Sequence, residues 1–229
     1  MELNTMYTQS DIRKAVTGTY MWMALGLLIT AAVAIAAVAS GLMLRLLYAV
    51  PYAMMILAIA QLAVVFGFSA AMRKAQDASL MRILFIVYSV LTGLTFSSLA
   101  YVYDLGTIGV AFLITAVYFI CLAVVGTTTT MDLTKIGNIC MVGLIALIIT
   151  QIIMLFFPVS GMTRIMSIIG LVIFTGLTAW DIQRMNQLLV MEDGNPVGQD
   201  KVSIFMALQL YLDFINIFLR VLRLLSKKD

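Results

Sequence analysis

Residues 170–190 read GLVIFTGLTAWDIQRMNQLLV, and after a polar link residues 202–225 read VSIFMALQLYLDFINIFLRVLRLL. Each run is long enough to cross a bilayer, which takes about 20 predominantly apolar residues. Each carries one aspartate well inside the apolar sequence, Asp181 in the first and Asp213 in the second. A carboxylate within the hydrocarbon costs roughly 2.5 to 3.5 kcal/mol on insertion scales unless it is protonated, paired or wet. Elsewhere the acids lie near segment ends, in links or in the tails. Two on successive helices therefore mark the working site.

Working outward, the whole chain has the same character. Hydrophobic residues make up 63% of the 229 and charged residues only 11%, where a soluble domain would carry roughly a quarter. The mean hydropathy is +1.08. This composition predicts an all-α, polytopic bundle. The first apolar stretch is too long for a signal-peptide core, and no small-residue cleavage site follows it. There is no histidine, which removes the usual zinc ligands and the usual pH-switching side chain. Cys121 and Cys140 form no motif and are read as core packing. The net charge of +3 fits basic side chains at a membrane surface rather than a nucleic-acid partner.

Seven spans are predicted, at about 15–39, 52–72, 83–103, 108–125, 136–157, 162–190 and 202–222. Residues 1–14 form a polar N-terminal segment, 15–223 the transmembrane domain and 224–229 a tail. The links are read as Gly41–Pro51 with Arg45, a loop holding Arg73, Lys74, Asp77 and Arg82, a tight turn over Asp104–Thr107, a polar run at Thr127–Thr130, and a loop from Glu192 to Lys201. Asp132 reads as a helix cap, and Pro158 with Gly161 closes the fifth span. Ser89, Thr92, Thr95, Ser97 and Ser98 in the third span bond back to helix carbonyls or across to a neighbour, and need not line a path. Gln61 reads as an interhelical hydrogen bond. No internal repeat is visible. With the N-terminus inside, Arg13, Lys14, Arg73, Lys74, Arg82, Lys135, Arg184 and Lys201 collect on the inner side, against Arg45 and Arg164 outside. Seven full crossings then place the C-terminus outside, together with Arg220, Arg223, Lys227 and Lys228; a re-entrant last span would instead put that basic tail inside.

Gln209, Asp213, Asn216 and Arg220 follow spacings of four, three and four, one polar stripe on an otherwise apolar helix. Thr178 and Asp181 share a face of the preceding helix with Phe174 and Gly170. At about 1.5 Å per residue, Asp181 lies about 14 Å from the Val190 end and Asp213 about 18 Å from the Lys201 end. Antiparallel helices across a short link thus bring both aspartates to similar depth. Two such carboxyls do not both ionise freely and tend to share a proton. A divalent cation is a natural ligand, but calcium wants six to eight oxygens. Asp181 and Asp213 offer four, so Asn216, backbone or water must add the rest. The site is weak and wet, suited to passage. A purely structural reading pairs Asp181 with Arg184 and Asp213 with Arg220. Arg73 is either a counter-ion of the closed state or a positive-inside anchor.

The segments LTAWDIQRM (177–185), MALQLYLDFINIFLRVLRLL (206–225), TTTTMDLTKIG (127–137) and TYMWMALGLLITA (19–31) resemble those of the Bax inhibitor-1 family, also called the transmembrane Bax inhibitor motif family. The resemblance covers nearly the whole chain, LYLDFIN is its most specific part, and the compact loops look like a bacterial member. It implies a seven-helix fold with the last helix central. It also implies a pH-sensitive calcium leak through the bacterial inner membrane, with Asp181 and Asp213 as the paired aspartates. Arg73 looks like the latch partner of the helix-six aspartate. Arg223 matches a late arginine that pairs with a helix-two glutamate in calcium-leak members; here Gln61 stands near that position. No tightly bound cofactor is implied. Some bacterial relatives instead bind and restrain a membrane protease, so the resemblance also admits a non-transporting regulator with that partner. A monomer in the lipid bilayer, exchanging calcium or protons, is expected. An intramembrane aspartyl protease is the enzymatic rival, but Leu210, Tyr211 and Leu212 precede Asp213 where such enzymes show Gly-x-Gly. A proton-coupled transporter is a further rival, with neither repeats nor broken helices to support it.

Overall fold

The computed structural model describes residues 2–74, 78–157 and 162–226. Asp77, the closure of the fifth span by Pro158 and Gly161, and the basic tail from Lys227 lie outside the described residues. Within them the chain forms α1 (Glu2–Ala39), α2 (Leu42–Ala49), α3 (Ala53–Lys74), α4 (Ser79–Ser97) with a 3-10 turn at Ser98–Tyr101, α5 (Leu105–Thr128), α6 (Thr134–Phe156), α7 (Met162–Met191) and α8 (Pro196–Leu225), and no strand. All except α2 are long and apolar enough to cross a membrane, which makes seven candidate spans. The protein is an all-α, multi-pass membrane protein. Its last span is the most enclosed: 72% of the α8 window is buried, against 11% for α6 and 39% for α7.

The links are shorter than the sequence alone predicts. The α1 helix runs back through the polar N-terminal segment, and its candidate span starts at Asp11. Gly41, at φ 63°, turns the chain into α2 inside the first link, with Met43 buried and Arg45 exposed. Arg73 and Lys74, read as loop, close α3, and Arg82, read as loop, lies in the first turn of α4, because the helices run on past the apolar stretches. Leu105–Thr107 are helical, so the turn after the third span ends at Asp104. The largest correction falls at Glu192–Lys201. Only the stretch before Pro196 is a turn, with Gly194 at φ 78°. Asn195 Oδ1 accepts the Gly198 N–H (3.1 Å), and Pro196 takes the first helical position, where its missing N–H costs nothing. Asp132 caps α6 from one residue before the formal cap, accepting the Thr134 N–H at 2.9 Å.

The chain divides into two units: Met1–Asp104 with Gln187–Tyr211, and Leu105–Asn186 with Leu212–Asp229. In the first, α1 and α4 approach closely through glycine: a Cβ on Gly93 would stand 2.7 Å from the Thr30 carbonyl oxygen. Tyr211 is fully buried there and shares a 2.6 Å hydrogen bond with Thr30, whose hydroxyl also reaches the Ser89 carbonyl at 3.1 Å. Phe85 and Tyr88 meet the Tyr211 ring edge-on. The third-span hydroxyls of Ser89, Thr92, Thr95, Ser97 and Ser98 each bond to a carbonyl three or four residues back. Gln61 donates to Thr95 Oγ1 across helices at 3.1 Å. Arg82 pairs with Asp200 at 2.7 Å and lies over the Trp22 ring.

In the second unit, α7 is held on two sides. Gly126 of α5 lies against Ala179 and Ile182, and a Cβ there would come within 2.8 Å of the Ala179 oxygen. Gly137 of α6 receives the Trp180 ring. Gln183 clamps the turn before α6, accepting the Leu133 N–H at 2.9 Å and donating to the Met131 carbonyl at 2.8 Å. Cys140 packs against Gly176, as expected of a core thiol, but Cys121 is exposed on α5. Its core assignment is therefore wrong: α5 is apolar on every side, so apolar neighbours alone do not tell its buried face from its exposed one.

Candidate functional site

Asp181 projects from the middle of α7 and Asp213 from the middle of α8, both within the second unit. They are 4% and 5% exposed. Their carboxyl groups lie side by side, within hydrogen-bonding reach of one another. Thr178 stands one turn before Asp181. Its hydroxyl donates to the Phe174 carbonyl at 2.7 Å and lies beside the Asp213 carboxyl. Asp181 Oδ1 and Asp213 Oδ2 are buried and receive no protein hydrogen bond. Phe214, next to Asp213, packs against Phe112 and Phe119 with ring centroids 5.5 and 5.8 Å apart. These rings close one side of the pair with apolar surface.

Neither arginine pairing of the purely structural reading is formed. The Arg184 guanidinium sits over the Trp180 ring, 5.2 Å from its centroid; it makes no contact ion pair with Asp181, though its charge still acts on that carboxyl. The reason is local: Trp180 is four residues before Arg184 on the same helix face and captures the cation by its ring electrons. Arg220 lies seven residues beyond Asp213, about 10 Å along the axis. Its guanidinium rests against Gly170 of α7 instead. Asn216 is half-buried and donates from Nδ2 to the Leu212 carbonyl at 2.8 Å, leaving its amide oxygen for another donor or a cation. Arg73 is exposed near the end of α3, and Arg223 is half-buried near the end of α8. Gln61 spends its amide nitrogen on Thr95. Among the described residues no group of three or more His, Cys, Asp or Glu side chains could hold a metal ion. The carboxyl pair is thus a two-acid site.

Sequence reasoning placed Thr178 on the right face without giving it a task. Its i, i+3 spacing to Asp181 was the available signal. The polar residues around Asp200 read as loop in the sequence and hide its pairing with Arg82.

A family model described as "Inhibitor of apoptosis-promoting Bax1" matches residues 12–229. The chain belongs to the Bax inhibitor-1 family. It is 37% identical over 210 residues to the inner membrane protein YbhL of Escherichia coli K12, covering 91% of this chain and 89% of that one. It is similar to the same degree, 37% over 206 residues, to an uncharacterized protein of Borreliella burgdorferi, covering 90% and 88%. An uncharacterized protein of Rickettsia prowazekii, RP147, is 35% identical over 218 residues, covering 95% and 91%.

Proposed function

We propose that this member of the Bax inhibitor-1 family is a pH-sensitive cation leak pathway, with calcium as the substrate ion and the Asp181–Asp213 pair as its gate. The supporting observation is a pair of buried carboxyls within hydrogen-bonding reach on α7 and α8, with no ion-paired arginine. Two carboxylates that close repel unless a proton lies between them. With the proton, the pair is a hydrogen-bonded bridge between the helices. Without it, the repulsion is relieved by a cation or by water entering between them. This makes a proton sensor in a chain that has no histidine.

Four carboxylate oxygens and the Asn216 amide oxygen fall short of the six to eight that calcium prefers. The ion therefore keeps part of its water and leaves readily, as passage requires. The protein acts as a monomer in a bacterial inner membrane, N-terminus in the cytoplasm and C-terminus outside. It performs no bond-breaking chemistry and holds no tight cofactor.

The test is calcium flux into dye-loaded proteoliposomes at acidic, neutral and alkaline pH, comparing wild type with Asp181→Asn and Asp213→Asn. Flux that is lost, or that no longer responds to pH, supports the gate. A folded wild-type protein that passes no cation, and instead co-purifies with a membrane protease, would replace this reading with that of a non-transporting regulator.

A further inference from the structure

A second polar site lies toward the C-terminal end of α8. Arg220 is 5% exposed, and its Nη1 is buried without a hydrogen-bond partner. Neither Arg220 nor Arg223 forms an ion pair among the described residues. A buried guanidinium calls for a counter-charge. Both arginines line a cavity of about 570 Å³, together with Gln151 of α6 and Thr163 of α7. Thr163 belongs to the first turn of α7, which begins at Met162; the positive end of the helix dipole favours an anion there.

Gly170 makes the room. A Cβ on it would stand 2.7 Å from Arg220 Nε and 2.9 Å from Cζ, so the guanidinium lies in a groove that any larger residue would fill. The rest of the wall is apolar and includes Ile152 and Met166. Ile152 is 52% exposed on a membrane-spanning helix, so the mouth opens sideways, toward acyl chains.

We infer that this cavity binds the phosphate of an anionic membrane lipid: Arg220 and Arg223 hold the phosphate, and Ile152 and Met166 receive the glycerol and upper acyl carbons. Free phosphate shares the charge but has no use for the lateral apolar wall; basic pockets between transmembrane helices suit lipid head groups.

The experiment uses the full chain, purified in detergent and stripped of lipid. Phosphatidylglycerol, phosphatidylethanolamine or inorganic phosphate is added back, and bound lipid and the thermal midpoint are read by native mass spectrometry and a melting assay. Wild type should retain phosphatidylglycerol over phosphatidylethanolamine by roughly thirtyfold, the scale of two basic contacts to an anionic head group, and should melt several degrees higher with it. Arg220→Gln, Arg223→Gln and Gly170→Ala should lose most of that preference, and Arg45→Gln, on exposed α2, should keep it. Arg223 is only half-buried, so its variant reads the site even if Arg220→Gln fails to fold. No preference in wild type, or one that survives in Arg223→Gln, overturns the inference. So does a melting shift that inorganic phosphate reproduces without lipid.

Discussion

Two buried polar clusters of this protein are built on opposite terms. Around Tyr211, every polar group named has a partner: Tyr211 with Thr30, Thr30 with the Ser89 carbonyl, Ser89 with the Phe85 carbonyl. Around Asp213, the carboxyl pair keeps two buried oxygens that no protein donor reaches. The two centres are two residues apart on α8 and almost equally enclosed. A satisfied network fixes one arrangement, because any change breaks bonds that water is not there to replace. An unsatisfied pair has a second state to go to once a proton leaves or a cation arrives. On the proposed function, the difference separates side chains that assemble the bundle from side chains that work in it.

Substitutions can break that contrast. The largest effect is expected from Asp213→Asn. Cation flux should fall by about an order of magnitude or more and lose its pH response, on the scale of a lost charged site in a membrane. Thermal stability should hold or rise, because an amide has no charge to desolvate. Next comes Gly93→Ala on the assembly side. The new methyl would press on the Thr30 carbonyl and Val33 and cost about 1–3 kcal/mol in a melting assay, the usual range for overpacking. Tyr211→Phe removes one hydroxyl and should cost about 0.6 kcal/mol, the average for a polar contact between membrane helices. The pH dependence of flux should stay intact in that variant. If it moved the pH profile as Asp213→Asn does, the two clusters would be one system and the contrast would fail.

Smaller still is Asp200→Asn. The Arg82–Asp200 pair is about 40% exposed on both sides, so its loss should cost under about 1 kcal/mol and vanish at high salt. The least effect is expected at Asp132. The Thr134 hydroxyl and backbone N–H hold its carboxyl below the ordinary carboxylate range. Its contribution is therefore present above the unfolded value, near 4, and fades only as the pH falls through the lower folded value. Amide exchange at the start of α6 should quicken in that acidic window in wild type and show no such step in Asp132→Asn.

Apolar length makes the seven spans legible, and one aspartate inside each of two successive apolar runs makes the candidate pair legible. That they touch depends on the α7–α8 link, which is shorter than its polar composition suggests. Asn195-Pro196 is a helix start in its own right, a capping side chain followed by proline, but the polar residues around it read as loop. Losing that start hid Asp200 and with it the Arg82 pair. The arginines were harder. Arg184 and Arg220 sit at helical spacings that suit an ion pair, and charge alone favours the aspartates. Trp180 and the missing side chain of Gly170 decide otherwise. An aromatic face and an empty space carry no charge, so counting ionic partners along the chain does not find them. Cys121 fails for a related reason: a helix apolar all round does not announce its lipid face.

The enclosure of α8 has a consequence for how the protein is made. Asp213 is expensive for a lone helix leaving the translocon, by roughly 2.5 to 3.5 kcal/mol near its centre, and Arg220 adds to that cost. Among the spans, α8 has the lowest mean hydropathy, 1.8 against 2.7 for α5. It is also synthesised after the other six. By then Gly170 and the Asp181 face of α7 already wait in the bilayer, and the least lipid-compatible segment inserts against protein. The order of translation thus supplies the host that this helix needs.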